Sequence, residues 1–419
     1  MTNYKEIKHC RICGNNDLFP ILNLGEQALT GIFPKSRDQR VASAPLELVK
    51  CQESGSGGGC GLVQLKHSFG LSEMYGENYG YRSGLNRSMV EHLRNKVKTI
   101  LSRISVSPGD LVIDIGSNDS TLLQAYPHDL VLVGVDPTGS KFGKYYPDHV
   151  QLIPDFFSSH LVDKHCGGKK ARIITSIAMF YDLEVPLDFV EQIYHTLSDD
   201  GVWVFEQSYL LSMLESNSYD TVCHEHLEYY RLKQIKWIMD KVGFKIIDVE
   251  LNMVNGGSFS VTVAKQHSPY PEAVSIVDEL LNEEIKRGLD TEKPYLEFKQ
   301  RIYRHREQLL HLLEKSKHDG KKILGYGAST KGNVVLQFCN LTEDQIPFIA
   351  EVNSDKFGSY TPGNYIPIIS EEEARAMKPD YFMVLPWHFK ENIIKRERRF
   401  LESGGALLFY LPQLELVNS

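Results

Sequence analysis

The sequence predicts an α/β protein. It places a Rossmann-like central domain, with a doubly wound and largely parallel sheet, between a small cysteine-rich module and a second Rossmann-like α/β domain. Three observations carry this reading. From about Ser107 onward, apolar strand-like runs alternate with helical patterns. Four of the seven cysteines fall before Gly61, where apolar runs are short. A strand feeding a glycine loop occurs twice, at Leu111–Ser120 and at Lys321–Asn333.

The elements follow in order. Residues 1–70 carry only brief apolar runs, Leu18–Leu24 and Leu46–Val49, and a glycine-rich stretch, Ser54–Gly59. So small a unit buries little core and needs a staple. Cys10-x-x-Cys13 brings two thiolates to one ion, and Cys51 and Cys60 complete a tetrahedral zinc set. The alternatives are four free thiols, or His9 replacing one ligand; in either case the metal role is structural. Residues 71–270 read as the central domain, with strands at Leu111–Gly116, Asp129–Asp136, Ala171–Met179, Gly201–Gln207, Phe244–Leu251 and Ser258–Lys265 and a helix at Val185–Leu197. Residues 271–317 carry apolar positions three or four apart and read as a pair of amphipathic connecting helices. Residues 318–419 form the last domain, with strands in Lys321–Thr330, Ile346–Asn353, Tyr381–Pro386 and Ala406–Pro412.

Composition excludes some functions. With 46 basic against 54 acidic residues the net charge is -8, so binding to nucleic acid through phosphate neutralisation is not expected. The densest basic run, Lys395–Arg399, reads as a solvated helix face. No apolar run approaches the ~20 residues that span a bilayer, and the N-terminus lacks a secretory apolar core. A cytoplasmic protein without membrane partners is expected, its cysteines thiols or metal ligands. Cys166 and Cys339 read as buried thiols. Oligomeric state is not legible, and a monomer is the default.

The first loop reads Asp114-Ile115-Gly116-Ser117-Asn118-Asp119-Ser120. It lacks the G-x-G-x-x-G that lets a pyrophosphate approach backbone closely, and suits a cofactor without phosphates, S-adenosylmethionine. Asp114, Gly116 and Asn118 line it. Asp136, with Pro137 beside it, ends the next strand where a carboxylate accepts both ribose hydroxyls. Asp155 and Phe156 flank the adenine, and Ser176 completes the set from a neighbouring strand. The alternatives are a ligand-free turn of the same shape and an NAD-dependent dehydrogenase.

After the strand at Gly201–Gln207, ionisable and aromatic residues concentrate between Tyr219 and Tyr230. His224-Glu225-His226 does not match the helical H-E-x-x-H zinc pattern. Histidines, tyrosines and a glutamate past a strand's carboxyl end suit proton abstraction and enolate stabilisation. The competing reading is a histidine-rich surface turn.

With these residues in view, nearly the whole chain resembles the S-adenosylmethionine-dependent C-methyltransferases of nucleotide-linked deoxysugars. The marks are C-R-I-C-G (Cys10–Gly14), C-G-L-V-Q-L (Cys60–Leu65), Y-G-Y-R-S-G (Tyr79–Gly84), D-I-G-S-N-D-S (Asp114–Ser120), C-H-E-H-L-E-Y-Y (Cys223–Tyr230), N-G-G-S (Asn255–Ser258) and G-Y-G-A-S-T-K-G-N (Gly325–Asn333). The resemblance implies a zinc module, a class I methyltransferase domain and a C-terminal domain that helps to hold the nucleotide sugar. It also implies C-methylation at C3 of a nucleoside-diphosphate 4-keto-6-deoxy sugar through an enediolate. His226 would be the base, with Glu225 as its orienter and His224 alongside. Tyr79 and Tyr81 would lie over the sugar.

Departures from the family pattern are Ser120 in place of a glycine, Tyr181 where a histidine often stands, and Cys223 in place of a tyrosine; Tyr181 can donate to an enolate. In the second loop Ser329, Thr330, Lys331 and Asn333 offer a pyrophosphate cradle at a helix start, with Asn353 past the next strand. A structural tight turn is the other reading there, and Trp387-His388 are weaker nucleotide candidates. Two other functions fit the chain less fully: an O- or N-methyltransferase on another small metabolite, and a zinc-stabilised binding protein with a vestigial cofactor loop.

Overall fold

The computed structural model describes residues 4–53, 58–70, 74 and 81–419. Tyr79, one of the expected sugar-facing tyrosines, lies outside the described residues. The N-terminal strands are β1 (Tyr4–Glu6), β2 (Leu18–Ala28), β3 (Ser43–Cys51), β4 (Val63–Leu65) and β5 (His67–Phe69). After α1 (Arg87–Arg103), the central strands are β6 (Leu111–Ile115), β7 (Val131–Val135), β8 (Val150–Ile153), β9 (Ala171–Ile177), β10 (Leu197–Ser208), β11 (Glu228–Tyr229), β12 (Phe244–Asn252) and β13 (Ser258–Lys265). The central sheet runs β12-β13-β10-β9-β6-β7-β8, parallel except that β13 is antiparallel to both its neighbours. Its order reverses between β6 and β9, so a crevice opens at their carboxyl ends. β6 is buried along its whole length, as expected of a strand covered on both faces.

Two helices follow, α2 (Val274–Lys286) and α3 (Lys293–His318). They are the expected pair, and α3 ties the molecule together. Tyr303 Oη donates to Asn23 O of the N-terminal sheet at 3.0 Å. His305 Nε2–H donates to Tyr410 O of the C-terminal domain at 2.5 Å, and its Nδ1 accepts from central Tyr219 Oη at 3.1 Å. The last domain holds β14 (Ile323–Tyr326), α4 (Thr330–Phe338), β15 (Ile349–Glu351), β16 (Ile368–Ser370), β17 (Tyr381–Val384), β18 (Ala406–Phe409) and β19 (Glu415–Val417). Its sheet order is β16-β15-β14-β17-β18-β19, with only β19 antiparallel.

Two features depart from the sequence reading. The first glycine loop does not lead into an α-helix; residues 117–125 form turns and a short 3-10 segment, Leu123–Ala125. Ser120 takes a left-handed φ of 62°, a conformation glycine adopts without strain. The second departure is β11, which leaves the central domain and pairs with β4 (Glu228↔Gln64, Tyr229↔Val63), completing a four-stranded antiparallel sheet β11-β4-β3-β2. Arg11 fixes this joint by donating to Leu65 O at 2.7 Å while lying 3.6 Å from Glu228. Among the described residues, no helix is long and apolar enough to cross a membrane.

Candidate active site

Cys10 and Cys13 lie on the turn after β1, Cys51 ends β3 and Cys60 precedes β4, so two turns face each other. Sγ of Cys10 is 3.5 Å from Sγ of Cys60, and Sγ of Cys13 is 3.5 Å from Sγ of Cys51. All four sulfurs lie within 4.8 Å of one another. Zinc–sulfur bonds of about 2.3 Å in a tetrahedron require edges of about 3.8 Å, so the donor set fits one zinc ion. Asn15 Nδ2 donates to Cys51 Sγ at 3.5 Å, a second contact that orients a ligand.

The glycine loop is tightly organised. Asp114 Oδ1 accepts from Thr175 Oγ1 at 2.6 Å. Burial pushes the Asp114 carboxyl up to about 7, against the Thr175 hydrogen bond and with help from the charge of Asp136. At Gly116 (φ 73°) an added Cβ would press on Met179 at 3.3 Å. Asp136 accepts Asn118 N at 2.7 Å on one oxygen and Thr138 N at 2.7 Å on the other. Thr138 Oγ1 also donates to the second of these oxygens, so the oxygen facing Asn118 N is the one that keeps a lone pair for a ribose hydroxyl. Phe156 is 42% exposed past β8 and offers an aromatic face beside the solvent-facing Asp155. These residues fit S-adenosylmethionine.

Other expected cofactor contacts are engaged elsewhere. The Asn118 amide clamps the segment that crosses the loop: Ser83 N donates to its Oδ1 at 3.0 Å, and its Nδ2 donates to Tyr81 O at 3.2 Å. Gly84 N donates to Asp119 Oδ2 at 2.9 Å, so residues 81–84 roof the loop. Ser176 is a core residue, its Oγ accepting from Trp203 Nε1 at 2.9 Å. Sequence reasoning missed Tyr146, whose hydroxyl meets Ser117 Oγ at 2.7 Å and donates to Asn118 O at 3.1 Å.

The cofactor loop and the histidine segment are joined through four residues. Ala178, just past β9, has φ 54°, a strained value for a residue with a Cβ. Met179 packs on Gly116, and the ring of Tyr181 lies 4.3 Å from that of His226. His226 Nδ1–H donates to Thr221 O at 2.8 Å, because a carbonyl can only accept. Nε2 therefore carries the lone pair. Burial, then the Lys331 ammonium, push this imidazole down to about 3. That is well below the ordinary imidazole value near 6.5, and it keeps the ring uncharged across the physiological range.

His224 and Glu225 turn away from His226. His224 Nε2 lies 3.2 Å from Ala44 O, its ring meets Phe69 edge-on at 5.4 Å, and burial lowers it to about 4. Glu225, raised by burial, accepts from Thr30 Oγ1 at 3.4 Å. The orienter of His226 is thus the Thr221 carbonyl. Gly31 packs against this side chain, and a Cβ there would sit 2.7 Å from Glu225 Oε1 and push it aside.

The second loop is arranged differently from a simple cradle. Ser329 Oγ caps α4 by accepting Gly332 N at 3.0 Å. Glu351, which sequence reasoning missed, accepts Ala328 N at 2.8 Å, Val352 N at 2.7 Å and Asn353 N at 2.9 Å. A carboxylate therefore holds the backbone N–H groups of Ala328 and Asn353, at the two ends of the expected cradle. Lys331 donates to Asn255 O at 2.9 Å, and its charge is felt by Asp220 and His226. Asn333 Nδ2 donates to Thr30 O at 2.8 Å, docking α4 on the N-terminal module. Asn353 caps a 3-10 turn, accepting Asp355 N at 3.1 Å. Trp387 Nε1 donates to Asp220 Oδ2 at 2.7 Å.

Three family models match the chain. One described as "Putative zinc binding domain" covers residues 10–75, one described as a methyltransferase domain covers 89–249, and one described as a C-methyltransferase C-terminal domain covers 253–412. The chain is 31% identical to the C-methyltransferase NovU of Streptomyces niveus, over 99% of this chain and 98% of NovU. The chain belongs to the C-methyltransferase family. It is an S-adenosylmethionine-dependent enzyme, and zinc is the ion of its four-cysteine module. Solved structures similar to it include the plantazolicin methyltransferase BpumL (TM-score 0.35, 13% identity, 44% of this chain and 88% of that one). Another is the YcgJ protein of Bacillus subtilis (TM-score 0.32, 12% identity, 42% and 100%).

Proposed function

We propose that this C-methyltransferase acts on C3 of a nucleoside-diphosphate 4-keto-6-deoxy sugar, through an enediolate, with His226 as the base. The observation that carries the reading is the His226 imidazole. It is held uncharged with Nε2 presented, next to Tyr181, three residues along the chain from strained Ala178 and the Gly116 contact. S-adenosylmethionine supplies a methyl group made electrophilic by a sulfonium. A 4-keto group acidifies the C3 proton, and His226 Nε2 accepts it. The imidazolium so formed is costly in a buried site, and it is offset by the enediolate anion formed beside it. The Tyr181 hydroxyl and the Lys331 ammonium favour the same anion. As the C3–methyl bond forms, the sulfur–methyl bond breaks, and the proton leaves His226 for water.

Glu225 packs on Thr30 and Gly31, and its raised carboxyl can donate a hydrogen bond to the sugar. Tyr81, 46% exposed on the segment roofing the cofactor loop, would cover the sugar. The protein is read as cytoplasmic. The test is incubation with S-adenosylmethionine and a panel of 4-keto-6-deoxy nucleotide sugars, followed by mass spectrometry and carbon NMR. A gain of one methylene at C3 is expected. Methylation at oxygen or nitrogen alone would replace this reading by an O- or N-methyltransferase.

A further inference from the structure

The loop from Thr30 to Lys35 runs along the junction between the N-terminal module and the C-terminal domain. At one end Thr30 donates to Glu225, next to the base. At the other end Lys35 Nζ donates to Asp355 O at 2.6 Å and Ser359 Oγ at 2.8 Å. Lys356 follows Asp355; its Nζ donates to Ala328 O at 2.7 Å on the second glycine turn and lies 4.3 Å over the Phe33 ring. The central domain adds Lys141, on the helical turn Gly139–Phe142 just past Asp136, the expected ribose acid. Its ammonium feels Asp355 and Lys35, and Lys356 in turn feels Lys141. Burial is the largest influence on both, and it lowers each ammonium.

Lys35 of the N-terminal module and Lys356 of the C-terminal domain thus meet at this junction, with the charge of Lys141 felt there. Glu351 is already engaged by three backbone N–H groups. Asp355 meets Lys35 through its main-chain carbonyl, and its carboxylate raises Lys141. Converging, partly desolvated ammonium groups repel one another and are relieved by a bound dianion. Five residues from Thr30 to Lys35 reach at most about 17 Å. A hexose and its diphosphate fit along such a span.

Resting on the proposed substrate, we infer that Lys35 and Lys356 bind the diphosphate of the nucleotide sugar, while Lys331, on the other side of the α4 start, faces the sugar. The diphosphate site therefore lies one strand end away from the Ser329–Asn333 loop.

Calorimetry on the full-length, zinc-loaded protein with S-adenosylhomocysteine bound tests this, using inorganic pyrophosphate, UDP, GDP and TDP as titrants. Lys35→Met and Lys356→Met should each weaken pyrophosphate binding about tenfold or more, the loss typical of a charge-assisted hydrogen bond. Lys35→Arg should retain most of the affinity, and S-adenosylhomocysteine affinity and the melting temperature should stay unchanged in the Lys35 variants. Lys35 is exposed, so its variant keeps the test valid even if Lys356→Met fails to fold. Wild-type binding that neither substitution weakens overturns this inference and leaves the substrate reading standing. A wild type that binds none of the four titrants overturns both.

Discussion

The two glycine-loop units share a plan and differ in how they use it. The first five strands of each have the same spatial order: β8-β7-β6-β9-β10 in the centre and β16-β15-β14-β17-β18 at the C-terminus. In each, the acid ending the second strand, Asp136 or Glu351, accepts a backbone N–H of the glycine loop, at 2.7 and 2.8 Å. The first loop then continues as turns, roofed among the described residues by 81–84, and keeps its carboxylate near a crevice. The second runs directly into α4, whose Asn333 and Gln337 hold Thr30 and Ala28 of the N-terminal module. One copy of the scaffold holds a cofactor. The other has become a wall that carries Lys331 toward His226.

Substituting the paired acids should separate the two units most sharply. Asp136→Asn removes a charge-assisted acceptor and should weaken S-adenosylhomocysteine binding about 10–100-fold by calorimetry. Glu351→Gln should leave that affinity unchanged, and equal losses in both would erase the distinction. The next effect is on pH dependence, since only the first unit buries an acid on its leading strand. The folded Asp114 carboxyl near 7 lies above the unfolded value of about 3.9. Between about pH 4 and 7 the folded state therefore binds more protons than the unfolded state, and stability falls as pH rises. Asp114 should cost a few kcal/mol by pH 8. Urea midpoints measured from pH 5 to 8 should decline more steeply in wild type than in Asp114→Asn, and parallel curves would remove Asp114 as the cause.

Smaller effects distinguish the loops themselves. Ser329→Ala deletes the α4 cap and should destabilise by about 1 kcal/mol in urea unfolding, with no change in S-adenosylhomocysteine affinity. Ser120→Gly relieves a left-handed serine but frees the unfolded chain and loses the 2.9 Å hydrogen bond from Gln124. Its net effect should stay within about 0.5 kcal/mol. A tenfold loss of cofactor affinity there would mean that the serine itself reaches the cofactor.

Much of this plan was legible in the sequence because it is written locally. Strand, glycine turn and following acid fall within 26 residues at Leu111–Asp136, and the cysteines announce their module by type and spacing. The histidine segment was legible as chemistry but not as geometry. Neither the Thr221 carbonyl as orienter nor the turning of His224 toward Ala44 has a local signal, since both depend on β11 pairing with β4 across a sequence gap of more than 160 residues. Ser176 was misplaced because strand alternation does not tell which neighbour takes a hydroxyl; Trp203 does. Glu351 could have been found by applying to the second unit the rule that located Asp136. The missing helix after Ser120 was less accessible, because turn and helix start share the same residues there.

In the proposed reaction His226 Nε2 removes the C3 proton. Deuterium wash-in at C3 of a 4-keto-6-deoxy nucleotide sugar that the enzyme methylates, followed by proton NMR with S-adenosylhomocysteine bound, tests it without methyl transfer. Wild type should exchange C3, and His226→Asn should exchange about 10²–10⁴-fold more slowly while still binding S-adenosylhomocysteine. Equal exchange in wild type and His226→Asn would contradict the account.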